Sequence, residues 1–504
     1  MKKKMKKHII LLFGLLALIP MACEDDIDPV IEELVTERAF APVGLTVRIR
    51  NQVVAELDWT VRDDADSFLI QISDDNFFNI IHEIVVVEED LPIQQALNGE
   101  TQYYARVKAL SPSLEESKWA SVEFETDPEQ IFLPTPGESV QAEDAIVLWE
   151  AGSEVTHLFI SPGNLLREIT AAEATAGQAT IEGLSGATDY VVTIYNGQQR
   201  RGETSFSTLK EANVTPLDDL AAIIAAAADG AELVLTEGEY EMGSVTINQS
   251  ITIEGQKSYD KPVIYGQFVC ETTVASISLV KLDVRGNGAE SQSQFFNTET
   301  GCVLNSLLIE ECEVSNYSNN FIYNNRNGEY GTITIRDSYI HDIEGGGGDG
   351  IDFRGGTLGT LTVENNTFAN GFRSFLRMQA EGNIVFNNNT FYRVSILDNS
   401  NNRGLFRASG GGTISVTNSL FVETGAEGTE YGNWTRAGDM AAEASYNNNF
   451  YYNCHNIWVG EYTDPSQVDA TEEDPGFVDP MNGDFTVTNQ TVIDEGAGDP
   501  KWLQ

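Results

Sequence analysis

The feature that most restricts the fold is an eight-residue pattern that recurs seven times between residues 277 and 451. The units are Ile277–Val284, Leu307–Val314, Ile333–Ile340, Leu361–Phe368, Ile384–Phe391, Ile414–Phe421 and Ala444–Tyr451, with start positions stepping by 30, 26, 28, 23, 30 and 30 residues. Apolar residues alternate along each unit, as in a strand, and a period of about 20–50 residues marks a stacked array. One coil of a parallel β-helix consumes such a length, and loop insertions account for the unequal steps. Within the unit, Asp337, Asn365, Asn388, Asn418 and Asn448 share a column. At a turn, stacked amides hydrogen-bond to the coils above and below, so this column is read as architecture.

Upstream of the array, a helix is expected over Leu217–Ala228, with Asp218 and Asp219 at its start and Gly230 beyond its end. Strands are expected over Glu232–Thr236 and Ser244–Ile253, and the helix would cover the first coil. Downstream lie Asp474-Pro475-Gly476-Phe477-Val478-Asp479-Pro480 and Ile493-Asp494-Glu495-Gly496-Ala497-Gly498-Asp499-Pro500. From Pro216 to Gln504 the chain resembles secreted pectin-lyase-like proteins, whose tail packs along a right-handed parallel β-helix. That resemblance implies a fold and not an activity.

Between Phe40 and Thr126 short alternating strands are expected at Gly44–Arg50, Val53–Thr60, Ser67–Ser73, Tyr103–Leu110 and Ser121–Glu125. Pro42, the core candidate Trp59 and the run Leu97-Asn98-Gly99-Glu100-Thr101-Gln102-Tyr103-Tyr104 resemble a fibronectin type III module with its tyrosine corner. A second copy places Trp149 and Leu184-Ser185-Gly186-Ala187-Thr188-Asp189-Tyr190 in the matching positions. The expected order is therefore all-β: a segment 1–22, a tether 23–39, fibronectin type III-like sandwiches at 40–127 and 130–208, and a pectin-lyase-like β-helix at 212–504. The sandwiches are read as spacers.

The first residues set the compartment. Lys2, Lys3, Lys4, Lys6 and Lys7 precede the apolar run Ile9–Ile19, which is too short for a spanning helix and reads as a secretory signal. The run ends in Ala22-Cys23, resembling a bacterial lipobox with Cys23 as the lipid-bearing residue. Glu24-Asp25-Asp26-Ile27-Asp28 then resembles the acidic export tag of surface lipoproteins in starch-utilisation-type glycan-uptake systems. This implies an outer-membrane protein, lipid-anchored and facing outward, with uptake-transporter components as further partners. Loss of residues 1–22 removes five lysines and takes the formal charge from −47 to −52. A nucleic-acid partner is excluded by that charge. Cys270, Cys302, Cys312 and Cys454 lack metal-ligand spacing and are read as buried thiols, with no disulfide pairing assigned.

After four of the units come Asp352-Phe353-Arg354, Phe375-Leu376-Arg377, Leu405-Phe406-Arg407 and Asn456-Ile457-Trp458. Aligned with Phe353, Leu376, Phe406 and Ile457 pointing inward, they stack Arg354, Arg377 and Arg407 at a spacing of about 4.8 Å. Guanidinium groups bind carboxylate or sulfate through paired hydrogen bonds. With Asp352 and the flanking Arg373 and Arg403, and with Trp458 to stack on a sugar ring, they form the expected site for an acidic polysaccharide. The competing reading is that acids such as Asp352 and Glu344 neutralise the arginines as a surface network.

Asp342, Glu344 and Asp349 in the glycine-rich stretch 342–352 are candidate Ca²⁺ ligands. Asp349-Gly350-Ile351-Asp352 resembles one motif of pectin-degrading β-helix hydrolases, whose other motifs are missing here. No lysine occurs between Lys281 and Lys501, which disfavours a lysine base, and His341 and His455 are read as structural. The leading expectation is a surface lipoprotein that captures a uronate-rich or sulfated glycan. The alternative is a polysaccharide lyase acting on a polyuronate with an arginine base, with Ca²⁺ as its candidate cofactor. A third is an adhesin whose arginines are wholly paired with acids.

Overall fold

The computed structural model describes residues 37–324, 327–344, 348–396, 404–426, 439–454 and 473–504. They form two compact units, one of residues up to 131 with 194–202 and the other of 132–193 with 203–504.

The first unit carries β1 (Val43–Arg50), β2 (Val54–Thr60), β3 (Ser67–Ser73), β4 (His82–Val86), β5 (Ile93–Ala96), β6 (Gln102–Leu110) and β7 (Ala120–Glu125). One sheet has the order β1-β2-β5 and the other β4-β3-β6-β7. Along β6, Tyr103, Ala105, Val107 and Ala109 are buried in alternation, which follows from the period of two. Trp59 packs edge-on against Phe68, and Tyr103 Oη accepts the Asn98 N–H at 3.0 Å, closing the expected tyrosine corner. The polar β5, reading Ile93-Gln94-Gln95-Ala96, carried no apolar alternation to announce it, and neither it nor β4 was expected.

The second copy is built from β8 (Asp144–Leu148), β9 (His157–Ser161), β10 (Leu165–Glu168), β11 (Gln178–Glu182), β12 (Asp189–Asn196) and β13 (Gln199–Ser207), in sheets β11-β8 and β10-β9-β12-β13. Its corner repeats the first almost atom for atom, with Tyr190 Oη accepting the Ser185 N–H at 2.9 Å. In both corners a threonine hydroxyl fastens the loop. Thr126 Oγ1 donates to Asn98 O and Thr208 Oγ1 to Ser185 O, each at 2.6 Å. Both are fibronectin type III-like sandwiches.

Between Ala231 and Tyr452 the described residues form a parallel β-solenoid. Nine strands, from Ala231–Leu235 to Glu443–Asn447, stack as one sheet. Two further stacks merge at the long strand Val263–Cys270, whose first half pairs with Asp283–Arg285 and second half with Gln294–Thr298. Helix Leu220–Ala226 buries Leu220 and Ile224 against the first coils, with Asp219 accepting the Ala222 N–H as its N-cap. It is shorter than 217–228, and Leu217 is 97% exposed. The expected strand Ser244–Ile253 is two strands, Glu239–Ile247 and Ile251–Gly255, in different sheets. Alternation runs on in phase through Asn248-Gln249-Ser250, so the pattern did not betray the corner.

The repeated column sits at a turn, and its backbone explains its composition. Lys281, Glu311, Asp337, Asn365, Asn388, Asn418 and Asn448 all have φ between 48 and 57°. Asparagine tolerates this left-handed conformation better than other side chains. Some of these side chains join across coils, as Asn448 Nδ2 to Asn418 Oδ1 at 2.9 Å. The longer ladder lies one residue on and is buried: Ser338, Asn366, Asn389, Ser419 and Asn449. There Asn366 Oδ1 accepts the Ser338 N–H, Asn389 Oδ1 the Asn366 N–H and Asn449 Oδ1 the Ser419 N–H, at 3.0–3.1 Å. These amides satisfy backbone groups at a corner that would otherwise be orphaned.

Residues 473–504 run along the solenoid, as the resemblance implied. Phe485 packs on Tyr339, Tyr392 and Trp502, while Asp499 accepts from Thr367 Oγ1 at 2.8 Å and donates its N–H to Thr390 Oγ1 at 3.0 Å.

Candidate functional site

Three short strands, Ile351–Phe353, Leu376–Met378 and Phe406–Ala408, lie side by side on one face. Their first and last residues are buried, which turns the middle residue outward. The paired middle residues are Asp352, Arg377 and Arg407. The expected alignment of Phe353 with Leu376 is therefore two residues out of register: Phe353 pairs with Met378, and Leu376 with Ile351. A shift of two keeps every side chain on its own face, so alternation cannot distinguish the two registers. Arg354 leaves the column and Asp352 enters it.

The consequence is electrostatic. Where three adjacent cations were expected, a wholly buried carboxylate stands beside Arg377. Arg354 Nε and Nη2 lie 2.9 and 2.8 Å from Asp352 Oδ2, and Arg354 also covers the Tyr323 ring at 5.5 Å. Arg373 closes on Asp349 with Nε and Nη2 at 2.8 and 2.7 Å from Oδ1. Arg407 Nε lies 3.0 Å from Asp439 Oδ1. Arg377 is held most loosely, 3.6 Å from Asp349 and 3.8 Å from Asp352, with one hydrogen bond, from Nη2 to Gln379 Oε1 at 3.1 Å. Its Nε is buried without a hydrogen-bond partner among the described residues.

Asp349 is set in place by Gly350, where a Cβ would come within 2.6 Å of both Phe372 Cδ1 and Phe375 O. Burial pushes the Asp352 carboxyl up despite Arg354, and burial pulls Arg377 down despite Asp352 and Asp349. Among the described residues, four guanidinium groups face three carboxylates. The arginine side chains are 11–27% exposed and those of Asp349 and Asp352 only 5% and 0%. Asp352 is therefore a counter-charge beneath the surface. Asp349, Asp439 and Gln379 were missed as members of the cluster, and only the true register could have shown Asp349 and Gln379. Arg403, Trp458, His455 and Cys23 lie outside the described residues.

The candidate Ca²⁺ ligands separate. Asp349 is committed to Arg373. Asp342 is a turn residue at φ 51° whose Oδ2 lies 2.7 Å from His341 Nδ1. Asp342 and Glu344 line an open cleft of about 540 Å³ with Asn287, Gln292, Asn316 and Asn370. Among the described residues no group of three His, Cys, Asp or Glu side chains could hold a metal ion.

Fold and site together define a parallel β-solenoid preceded by fibronectin type III-like sandwiches and bearing an arginine cluster over buried acids. Residues 238–371 match the family model described as Domain of unknown function (DUF4957), and residues 384–502 the one described as Domain of unknown function (DUF5123). No curated protein matches the chain. Among solved structures, a two-domain fibronectin type III segment from chicken tenascin is similar at 16% identity, covering 33% of this chain and 97% of that one, with a TM-score of 0.23. The FN1–FN3 domains of chicken CNTN1 align at 12% identity over 35% of this chain and 68% of that one, with a TM-score of 0.17.

Proposed function

We propose that this protein is an exported, lipid-anchored surface protein that captures an acidic polysaccharide on the solenoid face bearing Arg354, Arg377 and Arg407. One observation carries the reading: on a chain of formal charge −47, Arg354, Arg373 and Arg377 stand partly exposed over the carboxylates of Asp349 and Asp352 sunk beneath them. The outward side of the cluster is thus cationic, and its buried side keeps the arginines extended. Arg377, with a single hydrogen bond among the described residues, has donors to offer a ligand carboxylate or sulfate.

Arg377→Ala removes a charge-assisted contact of roughly 1.5–3 kcal/mol, so affinity for polygalacturonate, alginate or a sulfated glycan should fall about ten-fold or more. Binding of the wild type should weaken with added salt. The melting temperature should barely move, because the ion pairs of Arg377 are long. A destabilised variant that binds as well as the wild type would sink the site.

A second reading is a lyase in which Arg377, whose Nε is buried without a hydrogen-bond partner among the described residues, takes the proton α to a uronate carboxylate. Absorbance near 235 nm on incubation with a polyuronate would rise for the lyase and stay flat for the binder.

A further inference from the structure

Cys270 and Cys302 lie on consecutive coils and flank the same corner. The strand after Cys270 pairs with the strand after Cys302 from Thr273↔Val303 onward, and Cys270 ends the strand Val263–Cys270. Backbone bonds clamp the corner: Glu299 N–H to Cys270 O at 2.8 Å, Val303 N–H to Thr272 O at 3.2 Å and Cys302 N–H to Glu299 O at 3.2 Å. Gly301, at φ 91° with open space around it, makes the tight turn that points Cys302 inward. Both residues are wholly buried, and their thiols stand reduced and hydrogen-bonded to each other. Cys270 Sγ also donates to Thr272 O at 3.4 Å, and the other two described thiols donate to backbone oxygens away from this corner: Cys312 Sγ to Glu310 O at 3.3 Å and Cys454 Sγ to Phe421 O at 3.3 Å.

We propose that Cys270 and Cys302 are joined by a disulfide that cross-links consecutive coils of the solenoid. The inference rests on the export reading, because disulfides persist where the surroundings are oxidising. Both sulfurs are shut away in the finished fold, so the bond forms while the chain is folding. One thiolate attacks a disulfide-bearing oxidant, and the mixed disulfide is resolved by the second thiolate. The two cysteines lose two protons and two electrons, the S–S bond forms, and the oxidant leaves as two thiols.

The test is alkylation of the full chain, denatured without reductant, followed by peptide mass analysis. The expected result is a cross-linked pair of peptides carrying Cys270 and Cys302, with Cys312 and Cys454 alkylated. Reduction should lower the unfolding midpoint by about 5 °C or more, and Cys302→Ser should abolish that redox dependence. The N-terminal peptide of the same sample reports whether residues 1–22 were removed, which tests export separately. A processed chain with both thiols free overturns the disulfide. If the chain retains residues 1–22, refolding with oxidised glutathione decides: formation of the cross-link supports the pairing, and its failure overturns it.

Discussion

At the turn after the first strand of each unit, sequence and conformation agree in most coils and disagree in two. Lys281 and Glu311 hold φ of 54° and 51° in a column otherwise made of Asn and Asp. Lys281 is tied to Glu254 by an ion pair at 2.9 Å, whereas the backbone strain at Glu311 is relievable. Glu311→Asn should stabilise the solenoid by about 0.5–1 kcal/mol, measured as a higher urea midpoint with an unchanged slope. The column was legible in the sequence because Asn is the residue this backbone prefers. The pairing of Arg377 with Asp352 was not, because a two-residue slip leaves the apolar alternation intact. His341 was read as structural, and its neighbours give it a measurable role. Burial alone would lower its pKa, but Asp342 and Glu313, at 2.7 and 3.2 Å from its two nitrogens, raise it to about 9. Tyr339 stacks on the ring at 4.2 Å, and Asp283, Arg285 and Lys261 complete the charged surroundings. A raised pKa means stability fully present below the unfolded value near 6.5 and lost as pH rises through about 9. The difference in unfolding free energy between wild type and His341→Gln should be on the order of 3 kcal/mol near pH 6 and shrink as pH approaches about 9.5.

Among the elements, the coils are held together by like residues stacked on like. Phe368, Phe391, Phe421 and Tyr451 form a file of rings with centroids 5.4, 4.7 and 5.1 Å apart and planes within 14° of parallel. Because each coil buries the same position against the next, removing Phe391 leaves a gap lined by Phe368 and Phe421 of the file and by Phe375 and Phe406 beside it. Phe391→Ala should cost about 3–5 kcal/mol, read from denaturant unfolding, while Phe391→Leu should cost less. The last residue of five of the seven aligned units was an aromatic or Ile, so this file could be read before the structure. The short outward-facing strands carried too few residues for their register to be read. Alternation over three positions has no unique alignment, and the site was misaligned there rather than in the longer strands.

For the whole molecule, no helix among the described residues is long and apolar enough to cross a membrane. In the proposed reading the lipid is carried by Cys23. Cys23→Ser should move the protein from the membrane fraction to the soluble one on cell fractionation, and unchanged partition would refute the anchor. In that same reading, a protein that grips a polymer and is tied to a membrane also bears load. A stack in which each coil meets only its neighbours yields to pulling one coil at a time. The C-terminal tail changes that rule: it touches Tyr339, Thr367, Asn388 and Asn448, each on a different coil, through Phe485, Asp499, Gly496 and Glu495. A force that would peel a single coil must also shear this splint from the coils beneath it, so the solenoid should fail abruptly rather than unravel.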